Sequence, residues 1–445
     1  MIPRTERATR AGELGRLGLE WLLAQTREIG ADGGAPSLAW SYAPSAEETN
    51  PALYYGTSGI VLALLEGWRQ FGEDRYADAA LRGARSIADA VPSYDNDGLY
   101  TGLAGMAATL RSVARLTGDE AAAAAADRAL ERVRARFDGE TGRWNTMFEL
   151  LSGNAGIGIG ALAADDAELA LLAVTPYLST ADPTPGGVNW KVRPSEPRSH
   201  HMAHGTLGIV YALASVGHAT DSRDLIELAL LGAADVVARE TEGPEGFLVP
   251  HSDPPHRPDI IERYSYGWCN GPAGDAQAFR LLDAVTGDAA WTALGERCWT
   301  TLTRSGLPKR MRPGFWDNSG RCCGTAGVLA LACDRLTEGS DTGTDADTSG
   351  FADVLVDDLI ERATVDGPGA RWSNHEHTAT PGDLEPHTGL AHGSAGIVRE
   401  LLRYARLRSG GDPAYAVALP DHLPCRSKPA SSRSVSSRSA SASER

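Results

Sequence analysis

Runs of apolar residues recur along this chain, and each run follows a pair of glycines. The pair has the form G-x-x-G and occurs seven times, with its first glycine at positions 56, 102, 153, 205, 271, 324 and 393. After each pair nearly every residue is apolar, so that a helix formed there would be apolar on all faces, as in segments 60–65 and 209–216. That pattern is typical of a helix buried on every side, so we predict seven inner helices that begin at glycine turns.

Amphipathic stretches rich in Ala and Arg separate these runs. They lie near 10–30, 74–90, 119–137, 165–181, 221–240, 287–305 and 350–363. Several open at a Gly-Asp or Gly-Glu-Asp sequence that can cap a helix, and strand-like alternation is nowhere sustained. These stretches predict seven outer helices.

A helix pair of this kind can cover its apolar face only against neighbouring pairs. The chain shows no obvious polar end repeats, so the stack is expected to close on itself. We therefore predict an all-α fold, an α/α toroid of seven inner and seven outer helices, forming one domain over residues 1–425. In such a ring the seven glycine turns gather at one end, around one cavity mouth. The glycines would allow tight turns and close packing there.

Composition and charge narrow the possible partners and location. The formal net charge is −16, which disfavours binding to nucleic acid or anionic lipid. We see no run of about 18 or more apolar residues and no secretory signal, since charged residues interrupt the first 23 positions. The sequence therefore predicts a cytoplasmic enzyme without a membrane span. Residues 426–445 are Ser/Arg-rich and are predicted to form a disordered tail.

The residues directly before each glycine pair show which repeats carry reactive side chains and which are only structural. Directly before the first glycine stand Tyr55, Thr101, Ser152, His204, Asn270, Cys323 and His392. One position earlier stand Tyr54, Tyr100, Leu151, Ala203, Cys269, Cys322 and Ala391. Reactive side chains concentrate in copies four to seven. Copies five and six are neighbours in a ring, so Cys269, Cys322 and Cys323 are expected to meet in space.

Three thiols that converge in a reducing compartment indicate a metal site. Zinc favours thiolate ligands, and three protein ligands leave a fourth position open, as in a catalytic rather than a structural site. The alternative is that the three cysteines are small buried hydrophobic residues. Cys298 and Cys333 fall within apolar helical patterns and are predicted to be core residues, whereas Cys425 borders the tail.

Histidines near the same turns are further candidates. His204 is a candidate general acid/base or fourth metal ligand, with a structural histidine as the alternative. His392 and Asn270 are candidates for catalytic or substrate-facing positions, although His392 could equally be structural. His200 and His201 lie in a Pro-rich loop and are expected to face solvent.

The motifs YGWCNG (266–271), RCCGTAG (321–327), AHG (203–205) and LAHGSAG (390–396) together resemble the LanC-like lanthionine synthetase family. The resemblance covers essentially the whole chain. It implies a toroid of seven inner and seven outer helices and a catalytic zinc held by Cys269, Cys322 and Cys323. Cys323 occupies a position where the family more often has histidine. By the same resemblance, His204 acts on a proton during ring closure, and Glu149 stands where bacterial cyclases often carry aspartate, with a structural carboxylate as the alternative.

The resemblance also implies a reaction and partners. A peptide Cys thiolate would add to dehydroalanine or dehydrobutyrine in a dehydrated precursor peptide, after a separate dehydratase or kinase/lyase has formed the alkene. Alternatives are an enzyme that adds thiols to dehydrated proteins or glutathione, and a zinc-stabilised peptide-binding scaffold without activity. A toroid prenyltransferase would need a basic diphosphate pocket, and a toroid glycosidase would need paired carboxylates at the mouth.

Overall fold

A ring of paired helices forms the protein. The computed structural model describes residues 3–30, 36–243, 245–259, 261–311, 315–316, 318–338, 345–373 and 385–422. The outer helices are α1 (Arg4–Ala24), α3 (Asp74–Ala90), α5 (Glu120–Ala135), α7 (Ala167–Val174) with its short continuation α8 (Tyr177–Thr180), α10 (Arg223–Val237), α12 (Ala289–Arg304) and α14 (Asp345–Arg362). The inner helices are α2 (Thr57–Phe71), α4 (Leu103–Thr117), α6 (Asn154–Ala163), α9 (Thr206–Ala219), α11 (Pro272–Thr286), α13 (Thr325–Glu338) and α15 (Ser394–Arg408).

Contacts between the inner helices close the ring. Each inner helix packs against the next one along the chain, and the last, α15, packs against the first, α2. Each inner helix except α15 pairs with the outer helix that follows it, and α15 pairs with α1 from the other end of the chain. The predicted toroid of seven inner and seven outer helices is confirmed. The prediction of a disordered tail over 426–445, and the position of Cys425, lie outside the described residues.

The helix boundaries follow from local chemistry. Inner helices α2, α4 and α11 end at Gly72, Gly118 and Gly287, whose positive φ angles of 68°, 76° and 70° favour glycine. The side chains of Asp119 and Asp288 then accept hydrogen bonds from the first turns of α5 and α12. The Gly-Asp sequences therefore mark the passage from an inner to an outer helix, as the sequence predicts.

The second glycine of each pair permits close approach of the backbone. A Cβ atom on Gly274 would lie 1.9 Å from the Trp268 carbonyl oxygen, and one on Gly327 would lie 2.1 Å from the Arg321 carbonyl oxygen. No side chain fits at such distances. The glycines thus press each turn against the start of its own inner helix, which fixes where the residues before the turn point.

Four short antiparallel strand pairs in the described part of the chain were not predicted. They connect β1 (Arg27–Ile29) to β2 (Ser37–Ala39), β3 (Asp182–Thr184) to β4 (Gly187–Asn189), β5 (Arg198–Ser199) to β6 (Ser252–Asp253), and β7 (Thr364–Asp366) to β8 (Gly369–Arg371). Three of them are followed by a buried tryptophan whose indole N–H donates to a carbonyl of the preceding outer helix. These pairs are Trp40 with Leu22, Trp190 with Tyr177 and Trp372 with Leu359. The strands are too short to leave an alternating pattern in the sequence.

Inner helix α15 departs from the apolar pattern because it carries a buried ionic network. Arg399, Glu400 and Arg403 are all buried on it, and Arg403 donates to Glu400 and, at 2.8 Å, to Asp334 of α13. The segment after α15 joins this network. His422 Nε2 lies 2.7 Å from Asp334, and the buried Asp421 accepts a hydrogen bond of 2.8 Å from Tyr100. The C-terminal part of the described chain therefore lies among the inner helices.

Candidate metal centre at the ring mouth

Three sulfur atoms meet at the mouth of the ring. The Sγ atoms of Cys269, Cys322 and Cys323 all lie within 4.8 Å of one another. Cys323 Sγ is 3.2 Å from Cys269 Sγ and 3.4 Å from Cys322 Sγ. Cys269 and Cys322 are buried, whereas Cys323 is partly exposed, so the cluster opens to solvent on the Cys323 side. The expectation that these three residues converge is confirmed.

Hydrogen bonds between neighbouring turns hold the cysteines in register. The Cys269 amide donates to the Cys322 carbonyl at 3.1 Å, and the Cys322 amide donates to the Ala391 carbonyl at 2.8 Å. The Ala391 amide in turn donates to the Tyr54 carbonyl, which joins the seventh repeat to the first. Residues at the same position of successive repeats are thus brought side by side. Cys269 and Cys322 therefore lie close together although they are 53 residues apart in the sequence.

A hydrogen-bonding side chain lies against each of the three thiols. Asn270 Nδ2 donates to Cys269 Sγ at 3.4 Å, and the Tyr54 hydroxyl donates to Cys322 Sγ at 3.1 Å. His392 Nε2 lies 3.0 Å from the Tyr54 oxygen and 3.7 Å from Cys323 Sγ. Sequence reasoning assigned no role to Tyr54. The signal was present, because Tyr54 occupies the same repeat position as Cys269 and Cys322.

The pKa values of the three thiols are shifted in different directions. Hydrogen bonds from Cys269 and Cys323 lower the pKa of Cys322 well below its usual value. In Cys269, the hydrogen bond with Cys322 is the main cause that raises the pKa, and in Cys323 the hydrogen bond with Cys269 has the same effect. Without a cation, therefore, the cluster favours a single thiolate, at Cys322. Ionisation of all three closely spaced thiols requires a compensating positive charge.

The donor set fits a zinc ion. Zinc–sulfur bonds of about 2.3 Å in tetrahedral geometry place sulfurs ~3.8 Å apart, a few tenths of an ångström beyond the separations found here. Two of the cysteines are equivalent in the repeat, all three precede helix N-termini that favour thiolate, and the open side leaves room for a fourth ligand. The cluster can therefore hold a metal ion.

The turns of the third and fourth repeats carry a different group. The buried Glu149 carboxylate accepts hydrogen bonds from the Leu151 amide at 2.7 Å and the Ser152 amide at 3.0 Å. The same carboxylate lies 3.3 Å from His204 Nδ1, without the alignment of a hydrogen bond. The His204 side chain is 32% exposed, so its ring can reach the mouth while Glu149 holds it from behind.

His200 and His201 do not face solvent, and that expectation is wrong. Both are fully buried, and His201 Nδ1 lies 2.9 Å from the buried Asp275 carboxylate of α11. Burial lowers the pKa of His200 to about 3, so this ring is neutral in the folded protein. The Pro-rich composition of their loop suggested exposure, but both histidines belong to the fourth turn, where the Leu207 amide donates to the His200 carbonyl at 2.9 Å.

Comparison with known proteins identifies the family. The profile of the family described as lanthionine synthetase C-like protein matches residues 47–248 and 256–346, a range that includes Glu149, His204 and the three cysteines. The chain belongs to the lanthionine synthetase C-like family. His392 lies outside the matched range.

Solved structures place this lanthionine synthetase C-like protein among α/α toroids. It is similar to nisin cyclase, with a TM-score of 0.61, 17% identity, and coverage of 84% of this chain and 93% of that one. It is also similar to the GH76A α-1,6-mannanase of Salegentibacter sp. HEL1_6, with a TM-score of 0.50, 11% identity, and coverage of 91% and 99%. At such identities the likeness concerns the fold. No curated protein sequence matches the chain.

None of the helices that the structure describes combines the length and apolar character needed to cross a bilayer.

Proposed function

We propose that this protein is a zinc-dependent cyclase that adds a peptide cysteine thiolate to dehydroalanine or dehydrobutyrine in a lanthipeptide precursor. The observation that carries the proposal is the convergence of Cys269, Cys322 and Cys323 at one open edge of the ring mouth. Membership of the lanthionine synthetase C-like family supports it. The similarity to a nisin cyclase is consistent with it at the level of the fold.

Cys269, Cys322 and Cys323 are the proposed zinc ligands. Bound there, zinc would supply a substrate thiolate at neutral pH by displacing the thiol proton. Asn270, Tyr54 and His392 would orient the three ligand sulfurs through the contacts described above. The Asn270 Oδ1 atom is buried without a hydrogen-bond partner among the described residues.

His204 is the proposed proton-transfer residue. The thiolate sulfur forms a bond to the β-carbon of the dehydroamino acid, the alkene electron pair moves to the α-carbon, and the resulting enolate takes up one proton. A protonated His204 can deliver that proton, or its neutral ring can accept the thiol proton earlier. Glu149 would hold the imidazole and compensate its positive charge from a distance of 3.3 Å.

The substrate and partners are part of the proposal. The reaction requires an alkene already formed, so a separate dehydratase or kinase/lyase must act on the precursor peptide first. A thiol-adding enzyme that uses glutathione or damaged proteins has the same chemistry at the zinc. A peptide-binding scaffold would keep the zinc site but need no proton donor at the mouth. The partly exposed His204 ring, with the buried Glu149 carboxylate behind it, therefore favours an enzyme.

A two-substrate reaction separates these alternatives. Zinc-loaded protein is incubated with a peptide that contains one cysteine and one dehydroalanine, with and without glutathione, and the product is treated with iodoacetamide. The proposal predicts a product of unchanged mass whose thiol resists alkylation even when glutathione is present. A product heavier by one glutathione would favour the alternative enzyme. An alkylated, unreacted peptide would favour the scaffold.

A further inference from the structure

A second feature of the mouth is a pocket lined by positive charge. It has a volume of about 500 Å3 and lies between the chain that follows α5 and the chain that follows β4. Three cationic side chains line it, namely Arg143, Lys191 and Arg193. The two chain segments are joined by a hydrogen bond of 2.8 Å from the Phe148 amide to the Val192 carbonyl, one residue from Glu149 and one from Arg193.

These cations lack the partners that most arginines of this protein have. Neither Arg143, Lys191 nor Arg193 forms an ion pair with any residue that the structure describes, although the chain carries 58 acidic residues against 42 basic ones. Arg143 instead lies over the Phe148 ring, with 3.9 Å between its Cζ atom and the ring centroid. Arg193 is partly buried, and its Nε atom has no hydrogen-bond partner within the same described part.

The lining also indicates what kind of anion fits. Trp144 and Pro194 add apolar surface, and the Trp144 indole is fixed by a hydrogen bond of 2.6 Å to the Val133 carbonyl. Asp138 lies in the same lining, so the three cations and this one carboxylate leave a net charge of 3 − 1 = +2. Spaced cations with apolar surface between them suit carboxylate side chains carried on an extended peptide.

The pocket is connected to the proposed catalytic side of the mouth. The negative charge of Glu149 raises the pKa of Arg193, and the positive charge of Arg193 lowers the pKa of His251. Arg193 therefore lies close to both residues. Burial lowers the pKa of Arg193, an effect that a bound carboxylate would offset. A peptide held in the pocket would therefore lie on the side of the mouth that carries Glu149 and His204.

We propose that this pocket binds an acidic segment of the peptide substrate through Arg143, Lys191 and Arg193. The inference rests on the proposed function for the identity of the peptide as substrate. The binding claim itself is independent of that function, because the protein carries a strongly negative net charge and this pocket offers an acidic peptide three cationic side chains. Acidic residues outside the ring-forming part of the precursor would then position the cysteine and the alkene at the mouth.

The test measures binding by fluorescence anisotropy with the full chain. The probes are a fluorescein-labelled Glu-rich peptide and the same peptide with Gln at every Glu. We expect the Glu peptide to bind more tightly, and its Kd to rise on the order of tenfold in Arg143→Gln and in Arg193→Gln, the effect of losing one charge-assisted hydrogen bond. Added salt should weaken binding of the Glu peptide and leave the Gln peptide little changed.

A matched control removes one charge elsewhere. Arg128 is exposed on outer helix α5, so Arg128→Gln lowers the net charge equally and should leave the Kd unchanged. Lys191→Gln, at an exposed position, provides the same information if either arginine variant unfolds in a thermal melt. Equal binding of the two peptides, or an equal loss in Arg128→Gln, would overturn the proposal.

Failure of the pocket and failure of the proposed function give different results. Peptide binding needs neither zinc nor ring closure. A protein that prefers the Glu peptide but closes no thioether ring refutes the cyclase and leaves the pocket. A protein that closes rings but binds both peptides alike refutes the pocket and leaves the cyclase.

Discussion

Neighbouring turns are joined by backbone hydrogen bonds in repeats five, six, seven and one, whereas a side chain lies between the turns of repeats three and four. On the first side, which we call the thiol side, the turns are linked amide to carbonyl through Cys269, Cys322, Ala391 and Tyr54. On the other, the carboxylate side, the Leu151 amide donates to the Glu149 side chain. The same backbone turn thus places sulfur on one side of the mouth and a buried carboxylate on the other.

This difference shows how a repeat can be modified for chemistry. On the thiol side the backbone links stay intact and only side chains change, so several sulfurs can be held at fixed spacing. On the carboxylate side a side chain replaces the backbone link and can therefore also contact His204. Two parts of one reaction, thiolate supply and proton transfer, would each use the arrangement that suits it.

Loss of a thiol should have the largest effect. We expect the wild-type protein to hold about one zinc per chain and Cys322→Ser to lose most of it, because one of three protein ligands is removed. Metal content after gel filtration measures this. Cys333→Ala, a buried cysteine of α13 away from the cluster, is the control and should retain zinc. Full zinc in Cys322→Ser would refute the assignment of the thiol side.

A change on the carboxylate side should leave the metal in place. His204→Asn is expected to bind zinc normally and to lose ring-closing rate on the order of 100-fold or more, the usual contribution of general acid/base catalysis. Glu149→Gln should lose less, and the double variant should show a loss smaller than the two added together, because both residues act on one proton. Zinc loss in His204→Asn would instead make His204 a ligand.

The ionic network beneath the thiol side offers a test of stability. Arg321, next to Cys322, is buried against Tyr100 and lies 3.7 Å from Asp421. A chain that ends at Ala416 removes Asp421 and His422, and we expect it to lose about 3 kcal/mol or more of unfolding free energy, since buried charges are left unpaired. A chain that ends at Pro424 keeps them and should melt like the full chain. Equal melting of the two would contradict the network.

The smallest effect is expected at Tyr54. Tyr54→Phe removes the hydroxyl that donates to Cys322 Sγ, and zinc affinity should fall on the order of tenfold, as for other groups that orient metal ligands. Competition with a chelator measures the affinity. Tyr100→Phe is the matched control, because Tyr100 stands at the same repeat position but donates to Asp421. A similar affinity in Tyr54→Phe and wild type would leave Tyr54 a packing residue.

The sequence was informative wherever the repeat itself carried the signal. The convergence of Cys269 with Cys322 and Cys323 could be predicted because ring closure brings equivalent turns together. The contact of Tyr54 with His392 follows from the same rule, because ring closure makes the first and last repeats neighbours. Burial of His200 and His201 could not be predicted, since it depends on Asp275, which lies 74 residues from His201 along the chain. The local sequence of a Pro-rich loop does not indicate such a long-range partner.

The most direct test of the account is a zinc titration of metal-free protein with ring closure as the readout. Chelator-treated protein is mixed with increasing zinc, and the single-turnover rate on a peptide with one cysteine and one dehydroalanine is followed by loss of alkylatable thiol. The account predicts a rate that rises linearly and saturates at about one zinc per chain, as three thiolate ligands with one open position require. In Cys322→Ser the rate should stay near that of the uncatalysed reaction. A rate that is the same in metal-free and zinc-loaded wild-type protein would contradict the central claim.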